Sequence, residues 1–384
     1  MTQTFVTPTG DALAVTWPDG TTAEYPSIWL RDNCPSGFHA DTRERVADLL
    51  ALPDTPRIRA AGLNAGAVHI DWADKGQHSR FPLDWLKHHS PGRIAPDAAA
   101  LPPQIWRGDL GARGIPRAAH STVQGSDTAL ADWLTQTVRY GISIIGGLPD
   151  SRDAGMDAAR RVGFLRETNF GIEFEVISKP DPNNLAYTAL ALPLHTDLAN
   201  QELPPGFQFL HCIANAARGG GSIFADGFAI ARDLREDHPE AFTLLAKTPV
   251  PFWFHDDDTD LRVHRSVITL DSHGAVQEIK WNAHLAGVFD MPADRMPAYY
   301  RAYRAFMAKT RDPAYQIRLK LNAGEMVVFD NRRVLHGRDA FDPATGFRHL
   351  RGCYVDRGEV QSRLRVLRRG ADGLGAKGAH VPPF

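Results

Sequence analysis

Two short segments far apart in the chain carry the residues best suited to chemistry. The first is Leu192-Pro-Leu-His195-Thr-Asp197 and the second Phe329-Asp-Asn-Arg-Arg-Val-Leu-His336-Gly-Arg338. Residues two apart on a strand project to the same side, so His195 and Asp197 can address one metal ion together, and the remote His336 can complete the set. Two imidazoles and one carboxylate form the facial triad of non-haem iron(II) oxygenases, which leaves coordination positions open for reactants. Arg348, twelve residues past His336, offers a permanently charged fork that binds a carboxylate through two parallel bonds. The pattern therefore points to iron-dependent oxygenation, with 2-oxoglutarate as the acidic co-substrate and O2 as the oxidant.

The His-x-Asp spacing is weak by itself, because it occurs three times, at His69/Asp71, His195/Asp197 and His255/Asp257. His69 sits on an alternating strand near the N-terminus, where an ordinary surface or core histidine is expected. His255 opens the acidic run His255-Asp-Asp-Asp-Thr-Asp260, which reads as a solvated loop. Only His195/Asp197 follows an apolar segment, Leu190–Leu194, and precedes a loop, Asn200–Pro205, able to close over a pocket.

Length and pattern say how such residues would be held. A chain of 384 residues suits two domains. Short alternating runs with turn dipeptides (Leu13–Trp17, Asp19-Gly20, Thr22–Tyr25, Val68–Trp72, Lys75-Gly76, Ser79–Phe81) predict a small β-rich N-terminal domain over residues 1–95. Proline, glycine and alanine dominate residues 96–125, as in a linker or a long meandering connection. From 126 to 384 the spacing predicts an N-capped helix over Ala129–Tyr140, then mostly strands: Ile142–Ile145, Phe207–Ile213, Ser222–Ala225, Val263–Leu270, Gln316–Leu321 and Met326–Phe329. Two further helices are expected around Pro239–Ala246 and Ala298–Lys309. Many short strands with a few covering helices suit a mainly β fold, a double-stranded β-helix or jelly roll whose two sheets form a sleeve.

Composition excludes several classes. With 43 basic and 45 acidic residues the formal charge is −2, and no basic run is interleaved with aromatics as a nucleic-acid groove requires. The arginine-rich Arg363–Arg369 has leucine and valine at helical spacing and reads as a solvated helix face. Three cysteines, Cys34, Cys212 and Cys353, make no disulfide framework. No stretch nears the roughly 18 apolar residues that span a bilayer, and the N-terminus lacks a leader pattern. A cytoplasmic protein without membrane or nucleic-acid partners is expected.

The segments His195-Thr-Asp197, Phe329-Asp-Asn331, Leu335-His336-Gly-Arg338 and Arg348-His-Leu-Arg-Gly-Cys-Tyr354 resemble the taurine dioxygenase superfamily, specifically its γ-butyrobetaine hydroxylase branch. Trp29–Cys34, Asn183–Tyr187, Pro204–His211, Asp226-Gly227 and Ser362–Leu367 resemble that branch in the same order, so the likeness spans nearly the whole chain. It implies a jelly-roll catalytic domain, iron(II) held by His195, Asp197 and His336, 2-oxoglutarate gripped by Arg348, and a homodimer. It also implies a quaternary-ammonium substrate, caged by Phe170, Phe174, Tyr187 and Tyr354, with its carboxylate met by Asn184 and Asn282. Aromatic faces are the right tool, since a trimethylammonium group donates no strong hydrogen bond and is held by cation–π attraction. Relatives carry Tyr and Trp where this chain has Phe170 and Phe174, a weaker pair of cation walls. Ser222, in the glycine-rich entry Gly219-Gly-Gly-Ser222, is a further candidate contact to the co-substrate.

Many relatives also hold a structural zinc in the N-terminal domain through three cysteines and a histidine. Here Cys34, Ser36, His39 and Gln77-His78 stand in that region, at most three strong ligands for a site that wants four. A buried thiol at Cys34 is expected rather than zinc. The implied reaction is hydroxylation of γ-butyrobetaine to L-carnitine. Trimethyllysine or a trimethylaminoalkyl phosphonate are alternative substrates, and a jelly-roll ligand-binding protein without turnover is the non-enzymatic alternative.

Overall fold

The computed structural model describes residues 3–74, 77–94, 97–178 and 187–371. It divides into two compact units, a smaller one containing the first 97 residues and a larger one, Ala98–Arg368. Among the described residues no helix is long and apolar enough to cross a membrane.

Alternation builds the smaller unit. In the strand Ala67–Trp72, Val68, Ile70 and Trp72 are fully buried while His69 and Asp71 face outward. This strand is the centre of one antiparallel three-stranded sheet, between Ile58–Asn64 and His78–Pro82; a second sheet holds Phe5–Pro8, Ala12–Thr16 and Thr22–Pro26. Trp72, Phe81, Trp85 and Tyr25 fill the core. The turn expected at Lys75-Gly76 lies outside the described residues.

The zinc ligand positions are otherwise engaged. The Ser79 hydroxyl donates to Cys34 Sγ at 2.9 Å, Ser36 Oγ stands 3.2 Å from the same sulfur, and the Cys34 thiol reaches the His78 carbonyl at 3.7 Å. His78 turns its Nδ1 to Asp71 at 2.9 Å, and His39 Nδ1 accepts from the Asp41 and Thr42 backbone N–H groups. Among the described residues Cys34, His39 and His78 do not form a group of ligand atoms within 4.8 Å of one another, so the donor set does not fit a closed tetrahedral site.

In the larger unit two sheets carry the catalytic machinery. The four-stranded sheet runs Leu192–His195, Val334–Arg338, Ser222–Asp226, Gln316–Leu319. The six-stranded sheet runs Arg117–Ala119, Ile142–Gly146, Met326–Asp330, Phe207–Asn215, Arg348–Val355, Glu173–Val176. This is the expected mainly β sleeve with covering helices. In the central strands both faces are apolar: Phe207 and Phe209 pack outward with Val328 and Val355, while Leu210 and Cys212 face inward with Phe329 and Leu350. Burial on both sides explains why these segments read as near-continuous apolar runs.

The helix Asp127–Tyr140 is capped as its sequence demands. Ser126 Oγ accepts from the Ala129 N–H at 3.2 Å, and Gly141 ends it at φ 70°, a left-handed conformation that glycine adopts without a Cβ clash. Two expectations need correction. Residues 98–125 are folded structure, with helices Asp109–Arg113 and His120–Gly125, the strand Arg117–Ala119, and Trp106 only 1% exposed beneath a bond from its indole to the Tyr140 carbonyl. Proline richness there marks frequent turns, not a free connection. The run Val263–Leu270 is also two strands, Asp260–Arg265 and Ile268–Leu270, which pair with different partners.

Candidate active site

Strand register brings the triad together. On the four-stranded sheet His195 stands opposite His336, after an irregularity that shifts the pairing from Leu192 opposite Arg338. The two imidazole rings lie 4.3 Å apart between centroids. Asp197 is not on the strand, as simple i, i+2 alternation would have it. The strand ends at His195, and Asp197 enters a turn whose next residue, Leu198, takes φ 54°, a conformation costly for a branched residue.

What places Asp197 is Asn331, whose side chain is wholly buried. Its Oδ1 accepts from the Asp197 N–H at 2.7 Å, and its Nδ2 donates to the Asp197 carbonyl at 3.0 Å. A second brace joins Thr196 to Trp281 through two backbone-anchored bonds, with the Thr196 N–H donating to the Trp281 carbonyl at 2.6 Å. The result is one carboxylate oxygen, Asp197 Oδ1, at 3.2 Å from His195 Nε2 and 3.5 Å from His336 Nε2. All three ligand atoms lie within 4.8 Å of one another, the one such cluster among the described residues.

The donor chemistry fits a divalent metal. His195 Nδ1 bonds the Pro193 carbonyl at 2.9 Å; that nitrogen carries the proton, so the Nε2 lone pair faces Asp197. Burial lowers the His336 pKa and outweighs the opposing pull of the Asp197 carboxylate, so that imidazole is neutral and free to ligate. Burial alone would raise Asp197, but the facing imidazoles of His336 and His195 outweigh it and hold the carboxyl well below the usual range. The second oxygen, Oδ2, accepts the Tyr354 hydroxyl at 2.7 Å. Burial and the Asp197 charge push that phenol far above its ordinary value, so it remains a donor.

The triad opens on a cavity of about 300 Å³, enough for a small organic acid. At one side stands Arg348, only 6% exposed, with its Nε 3.4 Å from the Gly220 carbonyl and no carboxylate partner among the described residues. Burial, and secondarily the neighbouring Arg338, lower its pKa to about 10, which leaves it charged at neutral pH. A buried guanidinium without a counter-ion is unstable unless an anion arrives, so the residue fits a dicarboxylate co-substrate. Ser222 lines the same cavity, opposite Arg338 across paired strands.

Phe170, Phe174, Tyr187 and Tyr354 all line that cavity. Phe174 and Tyr354 are stacked at 5.1 Å. Phe170 meets Phe254 at 5.5 Å, edge to face, so Phe254 adds a wall that no sequence pattern had marked. Asn282 also lines the cavity, but most of its amide serves the backbone: Oδ1 accepts from the His284 and Leu285 N–H groups, and Nδ2 donates to the Thr196 carbonyl. One N–H remains for a ligand. Asn184 lies outside the described residues.

Residues 100–354 match the profile of the taurine catabolism dioxygenase TauD, TfdA family, and residues 6–87 match that of the γ-butyrobetaine hydroxylase-like N-terminal domain. The chain belongs to the TauD, TfdA dioxygenase family. It is 44% identical to a γ-butyrobetaine dioxygenase of Pseudomonas sp. (strain AK-1), over 93% of this chain and 94% of that protein. It is 33% identical to the γ-butyrobetaine dioxygenase of Homo sapiens, again over 93% and 94%. Identity to the mitochondrial trimethyllysine dioxygenase of Gallus gallus is 28%, over 93% of this chain and 86% of the relative. The fold is similar to the crystal structure of AAD-2 in complex with Mn(II) and N-oxalylglycine, at TM-score 0.50 and 14% identity, covering 66% of this chain and 97% of that one. Iron(II) and 2-oxoglutarate are accordingly the cofactor and co-substrate of this dioxygenase.

Besides Phe254, sequence reasoning passed over Arg338, Asn331 and part of the role of Tyr354. Arg338 was legible in principle, since it lies two residues past His336 on a strand and so shares its face. Asn331 belongs to a segment that carries the resemblance, but nothing local gives its role, because its partners lie more than a hundred residues away. Tyr354 was given to the substrate cage alone, whereas its hydroxyl also fixes the orientation of the Asp197 carboxylate. Tyr354→Phe keeps the ring and removes only that bond. Loss of such a supporting contact typically costs about 10–100-fold in metal affinity or activity, so the variant should need about tenfold more iron(II) for half-maximal turnover.

Proposed function

We propose that this dioxygenase hydroxylates a small quaternary-ammonium acid, with conversion of γ-butyrobetaine to L-carnitine as the reaction that fits best. The observation carrying the reading is that four aromatic side chains, Phe170, Phe174, Tyr187 and Tyr354, line the same cavity as His195, Asp197 and His336. An aromatic recess beside a metal triad suits a substrate whose cationic head is bound through ring faces while a nearby methylene is presented for reaction. The curated relatives that share most of the chain's length, named as γ-butyrobetaine dioxygenases, support the same choice.

In this reading the metal, with 2-oxoglutarate and O2, supplies the oxidative chemistry that replaces a C–H bond by C–OH and yields succinate and CO2. The chain's own residues position the reactants. Arg348 pairs with the distal carboxylate of 2-oxoglutarate, and Ser222 lies on the wall beside it. His195, Asp197 and His336 hold the metal, Asn331 and Tyr354 fix Asp197, and the aromatic walls exclude water from the cationic end. Asn282, with its one remaining N–H, and Asn184 receive the substrate carboxylate. The enzyme acts as a cytoplasmic homodimer.

The test is to incubate the purified protein with iron(II), 2-oxoglutarate and a panel of γ-butyrobetaine, trimethyllysine and a trimethylaminoalkyl phosphonate, following succinate and a product heavier by one oxygen atom. Coupled succinate with γ-butyrobetaine supports the proposal. Coupling only to one of the others transfers it to that substrate, and no coupling with any removes the quaternary-ammonium reading.

The cage rests on one glycine. A Cβ built on Gly352 would clash with the Cζ and Cε2 edge of the Phe174 ring, so only glycine lets that ring lie over the strand and against Tyr354. Gly352→Ala should push Phe174 aside and raise the KM for γ-butyrobetaine about tenfold, the scale of a lost aromatic contact to a desolvated cation. The KM for 2-oxoglutarate should stay within about twofold, because Arg348 stands four residues away at the start of the same strand, roughly 13 Å of extended chain.

A further inference from the structure

Arg338 carries a charge that no step above uses, although it is only 5% exposed and lines the catalytic cavity. Its Nη2 donates to the Thr188 carbonyl at 2.7 Å and to the Leu190 carbonyl at 3.0 Å. Between them, the Ala189 carbonyl accepts from the Phe341 N–H at 3.1 Å. Three consecutive carbonyls are thus held by two residues, Arg338 and Phe341. Residues 188–190 belong to neither helix nor strand, so these bonds stand in for a ladder in fixing them. They join Tyr187, a wall of the aromatic recess, to the strand that carries His195. The Phe341 ring connects this strap to the co-substrate end of the cavity. The guanidinium carbons of Arg338 and Arg348 lie over that one ring, 5.1 and 5.5 Å from its centroid. Gly220 leaves room for the arrangement, since a Cβ there would press on the Arg348 side chain at 3.0 Å and on Phe341 Cβ at 3.3 Å. Two buried like charges therefore share one apolar wall, and their repulsion is strong where water is scarce. It shows at Arg348, where the charge of Arg338 adds to burial in lowering the pKa.

We propose that Arg338 is a positioning residue that couples the two ligand sites: an anion at Arg348 relieves the repulsion on Arg338, which then holds residues 188–190 more firmly and sets Tyr187 into the cation cage. This rests on the roles given above to Tyr187 and Arg348. Before the anion arrives, the two guanidinium groups push on one another and the strap is held less tightly. Once a carboxylate pairs with Arg348, the bonds from Arg338 to the Thr188 and Leu190 carbonyls cost less to keep. Coupling of this kind is reciprocal, so the cationic substrate strengthens co-substrate binding by the same factor. It requires no change of fold, only a change in how firmly one segment is held.

The experiment uses the full chain loaded with Mn(II), with N-oxalylglycine in place of 2-oxoglutarate so that nothing turns over. Calorimetry gives the Kd of γ-butyrobetaine with and without N-oxalylglycine, and hydrogen exchange follows the amides of residues 187–192. In the unaltered protein N-oxalylglycine should tighten γ-butyrobetaine about tenfold, inside the usual range of about 5–150-fold for coupled sites, and should slow exchange in that segment. Arg338→Met should bring the ratio of the two Kd values to within about twofold of one and abolish the slowing, while N-oxalylglycine alone still binds within about threefold of normal. Arg338→Lys keeps the charge and a donor and should hold the ratio above about threefold. An unchanged ratio in Arg338→Met overturns the proposal, as does loss of N-oxalylglycine binding there with the ratio intact, which would make Arg338 a direct co-substrate contact. Exchange in the unaltered protein that ignores N-oxalylglycine overturns it as well, and that measurement decides even where Arg338→Met does not fold. If γ-butyrobetaine fails to bind the unaltered protein, the functional reading falls, and the exchange comparison still judges the strap by itself.

Discussion

Arg348→Met should raise the KM for 2-oxoglutarate by at least about thirtyfold while making the protein more stable to heat. The first effect follows from the proposed role of this buried guanidinium as the cation that meets the co-substrate, since charge-assisted fork contacts of this kind are roughly twice as strong as neutral hydrogen bonds. A truncated partner of a buried charge pair costs about 2–5 kcal/mol in binding, which is the stated factor or more. The second effect follows from the absence of any carboxylate partner among the described residues. The folded pKa of about 10 lies below the ordinary guanidinium value, so folding disfavours the charged form. That penalty is present in full at every pH below about 10 and disappears only as the free guanidinium itself loses its proton at still higher pH. Removing the charge should thus stabilise the ligand-free protein by on the order of 1–3 kcal/mol at neutral pH. A melting curve without 2-oxoglutarate and initial rates across a co-substrate series check both halves; a variant that melts lower would contradict the argument.

Asp197→Ala should abolish turnover, by about a thousandfold or more, and leave protein that retains no iron(II) after gel filtration. Asp197 Oδ1 is the atom that both imidazoles face, so its loss removes the only negative ligand from the triad. Two neutral histidines then remain for a cation that prefers a mixed nitrogen and oxygen set. The fold should survive, since the Asn331 bonds go to the Asp197 backbone and not to its carboxylate. Circular dichroism identical to the unaltered protein, with metal content measured by atomic emission, separates this outcome from simple unfolding. Retained iron at one equivalent would sink the assignment of Asp197 as a ligand.

Much of the frame was legible from the chain itself. Period-two alternation marked the strands of the smaller unit, and Ser126 with Gly141 marked both ends of one helix, because caps and alternation depend on neighbours within a few residues. The stretch 96–125 misled for a related reason. Its prolines and glycines report local turns truthfully, but whether Trp106 is buried depends on partners such as Tyr140 and Asp226 far along the chain.

At the site, the types of His195, Asp197 and His336 pointed to a metal triad once flanking segments set that pair apart from the other two His-x-Asp pairs, and Arg348 pointed to an acidic companion, because ligand chemistry is a property of the side chains. What the fold alone decided is how they meet. Asp197 reaches the metal position through a turn pinned by Asn331, not through strand alternation. Tyr354 serves the iron ligand as well as the aromatic wall, and Arg338 reaches the Thr188 and Leu190 carbonyls because antiparallel register sets it opposite Leu192. Such pairings are fixed by which strands lie side by side, and strand adjacency is settled by burial across the whole sheet rather than by any short stretch of chain.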